Sequence, residues 1–340
     1  MARGTGGVNA PAGPASPPGA LPSPDPLDLA VPAALAGARV DRVVALLSGL
    51  PRGAVAELVE AGGVRLDGVP VTARSRTVRR GQRLQVEVPG RVDDTPSPDP
   101  SVDYGVVHED AELVVVDKPA GLVVHHGAGH RGGTLVDGLL ARFPDLVRLA
   151  DDGVGDPGRP GIVHRLDKGT SGLLVVARTP GAYRLLSKQF RAHSAGREYL
   201  ALVAGSMDAD EGTIDAPIGR STRQRTRMAV TTRGRQARTG YRVVTRFSYP
   251  VQCTLLEARL DTGRTHQVRV HLAAIGHPVI GDERYGGPVA RPRSIMALMP
   301  PGRLFLHAFR LSLDHPGGGR RSWDSPLPDD LAGVLAGLSS

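Results

Sequence analysis

The sequence predicts an α+β protein made of a small N-terminal module and one larger domain. Two short apolar runs, residues 113–116 and 173–177, are typical of buried strands. Thr179 followed by Pro180 is a helix N-cap with proline at the first helical position, which predicts a helix to about His193. Between the two parts, residues 89–103 contain four prolines and several aspartates, a composition typical of an interdomain linker.

The N-terminal module is expected to hold two short helices followed by a hairpin. The helices are predicted over residues 41–47 and 53–61, and Asp67-Gly68 between valine-rich stretches predicts a two-residue turn. An alternating strand within 78–88 ends the module. The predicted boundaries are a disordered tail at 1–34, the module at 35–90, a linker at 91–103, the larger domain at 104–327 and a C-terminal tail at 328–340.

The larger domain continues with a strand and a further helix. Residues 197–204 return as a strand after the helix that begins at Thr179. Val268, Leu272 and Ile275 repeat at helical spacing and Gly276 follows them, which predicts a helix over 265–275.

Composition favours a polyanionic partner and a reducing compartment. The chain of 340 residues has a formal net charge of +8, and nine arginines lie between Arg220 and Arg246. Such a block repels itself unless counter-charge arrives, which favours a surface that faces phosphates over a merely solvated loop. Cys253 is the single cysteine, which excludes a disulfide framework and multi-thiolate metal sites. Without a signal-peptide pattern or a long apolar run, we expect a cytoplasmic protein that is not in a membrane.

The residues with the most chemical potential precede the second apolar run. A polar, glycine-bearing loop there carries His164, Arg165, Asp167 and Lys168. Loops held by a sheet often carry catalytic groups, and the cationic neighbours favour the ionised form of the aspartate. The residues alone leave two interpretations open: a carboxylate that acts as nucleophile or base, and a structural Asp–Arg pair in a turn.

Four ordered segments resemble the RluA/RluD family of pseudouridine synthases. The most specific is His164-Arg165-Leu166-Asp167 followed by Thr170-Ser171-Gly172-Leu173. The first of the other three runs from Glu109 to Gly121 and ends in Asp117-Lys118-Pro119-Ala120-Gly121. The remaining two are the stretch from Asp261 to His271, followed by His277 to Asp282, and Leu306-His307-Ala308. The module at 35–90 is similar to the small alpha-L-type RNA-binding domain. Its presence makes the chain similar to the RluD branch.

The resemblance implies a fold, an activity and a set of site residues. The fold would be a mixed, largely antiparallel sheet with a central cleft. Asp167 would be the catalytic carboxylate, Tyr199 would stack on the target base and assist proton removal from C5, and Arg264 would pair with the carboxylate. Arg165 would help to extrude the nucleotide. The residues expected to bind RNA are His164, Arg165, Lys168, Arg269, Leu306 and Arg39. The RNA would be 23S ribosomal RNA or a large-subunit precursor.

No cofactor is expected, because the implied isomerisation oxidises nothing and receives no group from a donor. No metal is expected either: His266 and His271 are five residues apart, about 140° around a helix, so they cannot share an ion. Two other functions stay open. One is a non-catalytic RNA-binding or ribosome-assembly protein. The other is a nucleoside hydrolase or glycosidase, which would need a second carboxylate that the sequence does not place near Asp167.

Overall fold

A computed structural model describes residues 27–50, 52–87, 95–127, 132–224 and 226–339. Two compact units are formed, Met1–Asp93 and Asp94–Ser340. No helix within these described ranges is long and apolar enough to cross a membrane.

The N-terminal unit packs two helices against a four-stranded antiparallel sheet. Its elements are β1 (Leu27–Ala30), α1 (Val40–Ser48), α2 (Arg52–Glu60), β2 (Val64–Leu66), β3 (Val69–Pro70) and β4 (Arg83–Val86), with a 3₁₀ turn at Ala33–Leu35. The strand order is β1-β4-β2-β3. The valines of α1 pack in one hydrophobic core with side chains of this sheet. Asp67 and Gly68 both adopt positive φ, at 53° and 79°, as a hairpin turn of this kind requires. The predicted helices, hairpin and strand are therefore present.

The predicted tail is wrong for residues 27–34. Leu27 pairs with Val86, and Val31 is buried in the core of the unit. In this short strand, partly buried and exposed residues alternate only twice, and prolines flank it, so the sequence gives no clear strand pattern. The strand forms because it can pair with the edge of β4. Residues 1–26 of the predicted tail lie outside the described residues.

The second unit is built on one large mixed sheet. Its strands are β5 (Gly105–Glu109), β6 (Leu113–Lys118), β7 (Ser171–Ala177), β8 (Gly196–Ala204), β9 (Glu211–Asp215), β12 (Arg238–Phe247), β13 (Cys253–Leu260), β14 (Leu306–Asp314) and β15 (Arg320–Asp324). In the described chain the order is β5-β6-β7-β14-β8-β13-β12-β9, with β15 beside β14. Only the pair β7–β14 is parallel among these. The implied mixed, largely antiparallel sheet is confirmed. A separate hairpin joins β10 (Ile218–Arg220) to β11 (Met228–Val230).

Helices pack against this sheet: α5 contacts β7 and β14, and α6 contacts β12. They are α3 (Leu135–Arg142), α4 (Val147–Asp151), α5 (Pro180–Ala192), α6 (Gln267–Ala274), α7 (Arg293–Met296) and α8 (Asp329–Ala336), with 3₁₀ turns at Pro144–Leu146 and Pro288–Ala290. The side chain of Thr179 accepts a hydrogen bond from the N–H of Ala182, so the predicted cap of α5 is confirmed. The predicted helix over 265–275 corresponds to α6.

Two predicted boundaries of this unit are wrong. Residues 95–103 of the predicted linker belong to the folded unit, because the N–H of Ser97 and of Asp99 donate to the side chain and the carbonyl of Asp137. The predicted C-terminal tail contains α8, whose Leu331 and Val334 are fully buried. Proline-rich or glycine-rich segments can pack when a neighbouring surface accepts them, which composition alone does not reveal. Residues 91–94 lie outside the described residues.

Candidate active site

A cavity of about 100 Å³ opens where the loop before β7 meets the start of α6. Tyr199 of β8 and Leu306 of β14 contribute to its wall, together with residues of the loop and of the segment 263–269. Among the described residues of this wall, Asp167 is the one carboxylate. The structure thus places the predicted carboxylate, tyrosine and leucine around one cleft.

Two buried cations hold the backbone of the loop that carries Asp167. Nζ of Lys118 donates to the carbonyls of Pro119 and Leu122 at 2.8 and 2.9 Å. It also lies 3.5 Å from the backbone carbonyl oxygen of Lys168. Burial lowers the pKa of Lys118 to about 7, against an opposing effect of the nearby Asp167 carboxylate. The guanidinium of Arg303 donates to the carbonyl of Gly169 at 3.1 Å. The backbone of the loop is therefore held by the side chains of Lys118 and Arg303.

Gly172 allows the loop to join the sheet. Its φ is 111°, and a Cβ at this position would collide with the backbone of Ala308 on β14. Glycine is required here because the parallel strands β7 and β14 approach each other closely.

An ion-pair chain orients Asp167. Nη1 of Arg269 donates to Oδ2 of Asp167 at 3.0 Å, and Nε and Nη2 of the same guanidinium donate to Asp282 at 2.8 and 2.9 Å. The side chain of Asp282 is fully buried. Burial acts to lower the pKa of Arg269, but the two carboxylates outweigh it and the net shift is upward. Arg269 is therefore a fixed cation between two carboxylates.

The arginine that pairs with Asp167 is Arg269, so the pairing predicted for Arg264 is wrong. Arg264 lines the cavity, but its Nε donates to the carbonyl of Gln236 at 2.9 Å. It lies in the loop before α6, whereas Arg269 lies on the helix and faces the loop that carries Asp167. Both arginines belong to the same segment, and the sequence does not show which one faces the carboxylate.

Tyr199 is nearly buried in the cavity wall, with 6% of its surface exposed. Burial raises the pKa of its phenol to about 12, and the negative charge of Asp167 acts in the same direction. The phenol is thus protonated at neutral pH. Ala258 and Ala308 are its partners on the two neighbouring strands.

His164 lines the cavity, but its ring is held by contacts within the fold, and its contact with RNA stays a prediction. Its Nε2 accepts a hydrogen bond from the N–H of Val175 at 3.0 Å, and the ring stacks on Phe190 at 4.3 Å. Burial lowers its pKa to about 3, so the imidazole is neutral. Its role is to hold the loop against β7.

The other residues predicted to bind RNA have different surroundings. Arg165 is exposed at the cavity, and Leu306 is buried in its wall. Lys168 is exposed outside the wall. Arg39 belongs to the N-terminal unit, where its guanidinium donates to both carboxylate oxygens of Asp41 at 3.1 and 2.7 Å.

Four residues at or near the site were not predicted from the sequence. Asp282 anchors Arg269, and Arg303 holds the loop. Nε2 of His266 lies 3.9 Å from Asp167, and Tyr285 contacts the other nitrogen of the same ring. In the sequence, His266 was considered only as a metal ligand, together with His271, and was rejected in that role. A buried arginine such as Arg303 carries no local signal, because its partners are distant in the sequence.

One trio within the described ranges has the spacing of a metal site: His108, Asp110 and His315. Nε2 of His108 forms a hydrogen bond of 2.9 Å with Oδ2 of Asp110. Nε2 of His315 lies 2.8 Å from the same oxygen, but without the geometry of a hydrogen bond. Nδ1 of His315 accepts from the N–H of Gly317, which puts the proton of a neutral ring on Nε2 and leaves that atom no lone pair for a metal. The trio is therefore two histidines gathered around one carboxylate.

Comparison with known proteins assigns the chain to a family. The model of RNA pseudouridylate synthases matches residues 112–274, and that of S4 domains matches residues 38–84. A protein of Nitrosomonas europaea named ribosomal large subunit pseudouridine synthase D is 42% identical over 314 residues, which cover 92% of this chain and 88% of the relative. The chain belongs to the RNA pseudouridine synthase family. It is therefore an isomerase, and its N-terminal module is an S4 domain.

Further relatives support the same assignment. An uncharacterised RNA pseudouridine synthase of Chloroflexus aurantiacus is 46% identical over 319 residues, which cover 91% of this chain and 92% of the relative. The solved structure of human RNA pseudouridylate synthase domain containing 1 superposes with a TM-score of 0.54 at 28% identity, over 72% of this chain and 91% of the human chain. The resemblance to the RluA/RluD family is thus confirmed.

Proposed function

We propose that this pseudouridine synthase modifies specific uridines of large-subunit ribosomal RNA, 23S or its precursor, in the cytoplasm, with Asp167 as the reacting carboxylate. The names of the bacterial relatives support the class of RNA. The observation that carries the role of Asp167 is its place as the cavity's one carboxylate among the described residues, held by Arg269.

The reaction moves one bond and one proton. The C1′–N1 bond of uridine breaks, the uracil rotates, a C1′–C5 bond forms and the proton of C5 is lost while N1 gains one. Asp167 starts the reaction either by attack on C1′ or by removal of the C2′ proton. Arg269 binds Oδ2 of the carboxylate and leaves its Oδ1 available.

The target base has to leave its stack to reach this cavity, at a cost of a few kcal/mol. Tyr199 offers an aromatic face, and base–aromatic stacking contributes about 1–3 kcal/mol. Arg165 is exposed beside it and offers a planar guanidinium to fill the vacated place. Because the phenol of Tyr199 is protonated, its assistance at C5 requires that it transfers its proton elsewhere during the step.

Arginines near the cavity form the surface proposed for RNA phosphates. Among the described arginines of the block, Arg238 pairs with Asp261, Arg242 with Glu257 and Arg246 with Asp210. The other described arginines of the block lie on or beside the hairpin β10–β11. Burial lowers the pKa of Arg264, and the positive charge of Arg235 acts in the same direction. Two guanidiniums that repel each other favour a shared anion such as phosphate.

The S4 domain is proposed to add affinity for RNA rather than chemistry. It is a compact unit of its own that ends at Asp93. Removal of residues 1–93 should weaken RNA binding and lower its salt dependence while the chemical step is retained. A salt slope equal to that of the full chain would argue against this role.

Release of tritium from C5-labelled uridine in ribosomal RNA tests the proposal. Wild type should release tritium and Asp167→Asn should not, with RNA affinity changed no more than a few-fold. Binding without release by the wild type would favour the ribosome-assembly alternative, and free uracil would favour a hydrolase. Mapping pseudouridines in ribosomal RNA from a strain that lacks the gene identifies the target positions.

A further inference from the structure

His266 lies immediately before α6, and it approaches the carboxylate oxygen of Asp167 that Arg269 does not bind. Its Nε2 is 3.9 Å from Oδ1 of Asp167, and its Nδ1 is 2.6 Å from the hydroxyl of Tyr285. Its φ of 57° is in the left-handed region, which costs energy for a residue that is neither glycine nor asparagine. The backbone therefore accepts strain at the position that carries this ring.

Tyr285 is the hydrogen-bond partner of Nδ1 of His266. The hydroxyl oxygen of Tyr285 accepts from the N–H of Met228 at 3.2 Å. Burial raises the pKa of the phenol, so it keeps its proton, and in the arrangement inferred here the hydroxyl donates to Nδ1 of His266. A neutral imidazole that accepts at Nδ1 has its proton on Nε2. The Nε2–H group then faces the free oxygen of Asp167.

His266 is also kept neutral by its surroundings. Burial lowers its pKa, and the cations Arg269 and Arg284 act in the same direction against Asp167 and Asp282. A neutral donor orients a carboxylate oxygen without adding a second full positive charge. The carboxylate thus keeps the reactivity that a second cation would reduce.

We propose that His266, locked by Tyr285, is a positioning residue that donates its Nε2–H to Oδ1 of Asp167 when RNA is bound, while Arg269 holds Oδ2. This inference rests on the proposed role of Asp167. The distance of 3.9 Å is longer than a hydrogen bond, but catalytic hydrogen bonds in free enzymes are often long and shorten in the complex. Because Met228 belongs to β11, the same chain of contacts links the arginine-rich hairpin to the carboxylate.

Two substitutions separate the two nitrogens of the ring. In His266→Asn the amide oxygen replaces Nδ1 opposite Tyr285, and asparagine tolerates the left-handed backbone, but no group faces Asp167. In His266→Gln the longer side chain places an amide N–H near the position of Nε2. We expect kcat for tritium release to fall about 10²-fold in His266→Asn with KM within a few-fold, and His266→Gln to recover a large part of the loss. Wild-type kcat in a folded His266→Asn would overturn the proposal.

A spectroscopic measurement tests the tautomer without reference to turnover. Nitrogen NMR of ¹⁵N-labelled histidine in the free, full-length protein should show His266 neutral at pH 7 with the proton on Nε2, and Tyr285→Phe should mix in the other tautomer. A proton on Nδ1 in the wild type would overturn the proposal even if Asp167→Asn is inactive. Conversely, turnover by Asp167→Asn would refute the proposed function whatever the tautomer.

Discussion

Arg303 donates a hydrogen bond to the carbonyl of Gly169, two residues beyond Asp167, while its Nε donates to Asp330 on α8 at 2.6 Å. The guanidinium is 4% exposed and also donates to Ser171 at 2.9 Å. A helix at the far end of the described chain therefore supports the loop of the active site through one side chain.

Arg303→Met should destabilise the protein and lower turnover together. The methionine fills a similar volume but leaves the carbonyl of Gly169 and the carboxylate of Asp330 without this donor, at a cost of about 1–3 kcal/mol per buried group. Denaturant unfolding and tritium release measure the two effects. As a control, Arg184→Met changes an exposed guanidinium on α5. Equal behaviour of the two variants would contradict the supporting role.

Arg269→Met and Arg264→Met should have different consequences. Loss of Arg269 leaves Asp282 buried and unpaired, which costs roughly 3–5 kcal/mol, and it releases Asp167. Loss of Arg264 should weaken RNA binding without a comparable loss of stability, because its guanidinium is only partly buried. Unfolding free energies compared at pH 7, together with RNA affinities, separate the two. A more severe loss of stability in Arg264→Met would restore the pairing expected from the sequence.

Neutralisation of hairpin arginines should reduce the salt dependence of RNA binding. Arg223→Gln and Arg233→Gln each remove one exposed charge from the proposed phosphate surface. The slope of log K against log salt should fall by about 0.7–0.9 for each phosphate that is no longer neutralised. Arg242→Gln is the matched control, since Arg242 already pairs with Glu257 at 2.6 Å. If the control changes the slope as much as the other two, the surface has been placed wrongly.

The trio at Asp110 should stabilise the protein in a pH-dependent way. Burial acts to raise the pKa of Asp110, but hydrogen bonds from His108, Leu113 and Glu112 outweigh it and the net shift is downward. A carboxyl whose pKa is depressed on folding stabilises the protein above its unfolded value of 3.8, and this contribution is lost as pH falls through the folded value. Asp110→Asn should therefore be less stable than wild type at pH 7, and the difference should shrink below about pH 4.

Unfolding curves measured between pH 2 and pH 7 with and without Zn²⁺ complete this test. No gain in melting temperature is expected from the metal. A large, stoichiometric gain that is absent in Asp110→Asn would show that the trio binds an ion after all.

The sequence predicted local features of the fold better than contacts between distant residues. The cap at Thr179 and the turn at Asp67-Gly68 depend on neighbouring residues, so their patterns were sufficient. Strand β1 was missed because its stability comes from pairing with β4, more than 50 residues away. The choice between Arg264 and Arg269 failed for the same reason, since only the packing of α6 against the loop decides which guanidinium faces Asp167.

The parallel contact of β7 with β14 brings Ser171 within 3.0 Å of His307, although 136 positions separate them. Because such distant segments meet late in folding, a nascent chain emerging from the ribosome lacks this wall of the cleft until β14 has been synthesised. Premature termination before that strand would yield a polypeptide that retains the S4 domain and Asp167 but has no formed site.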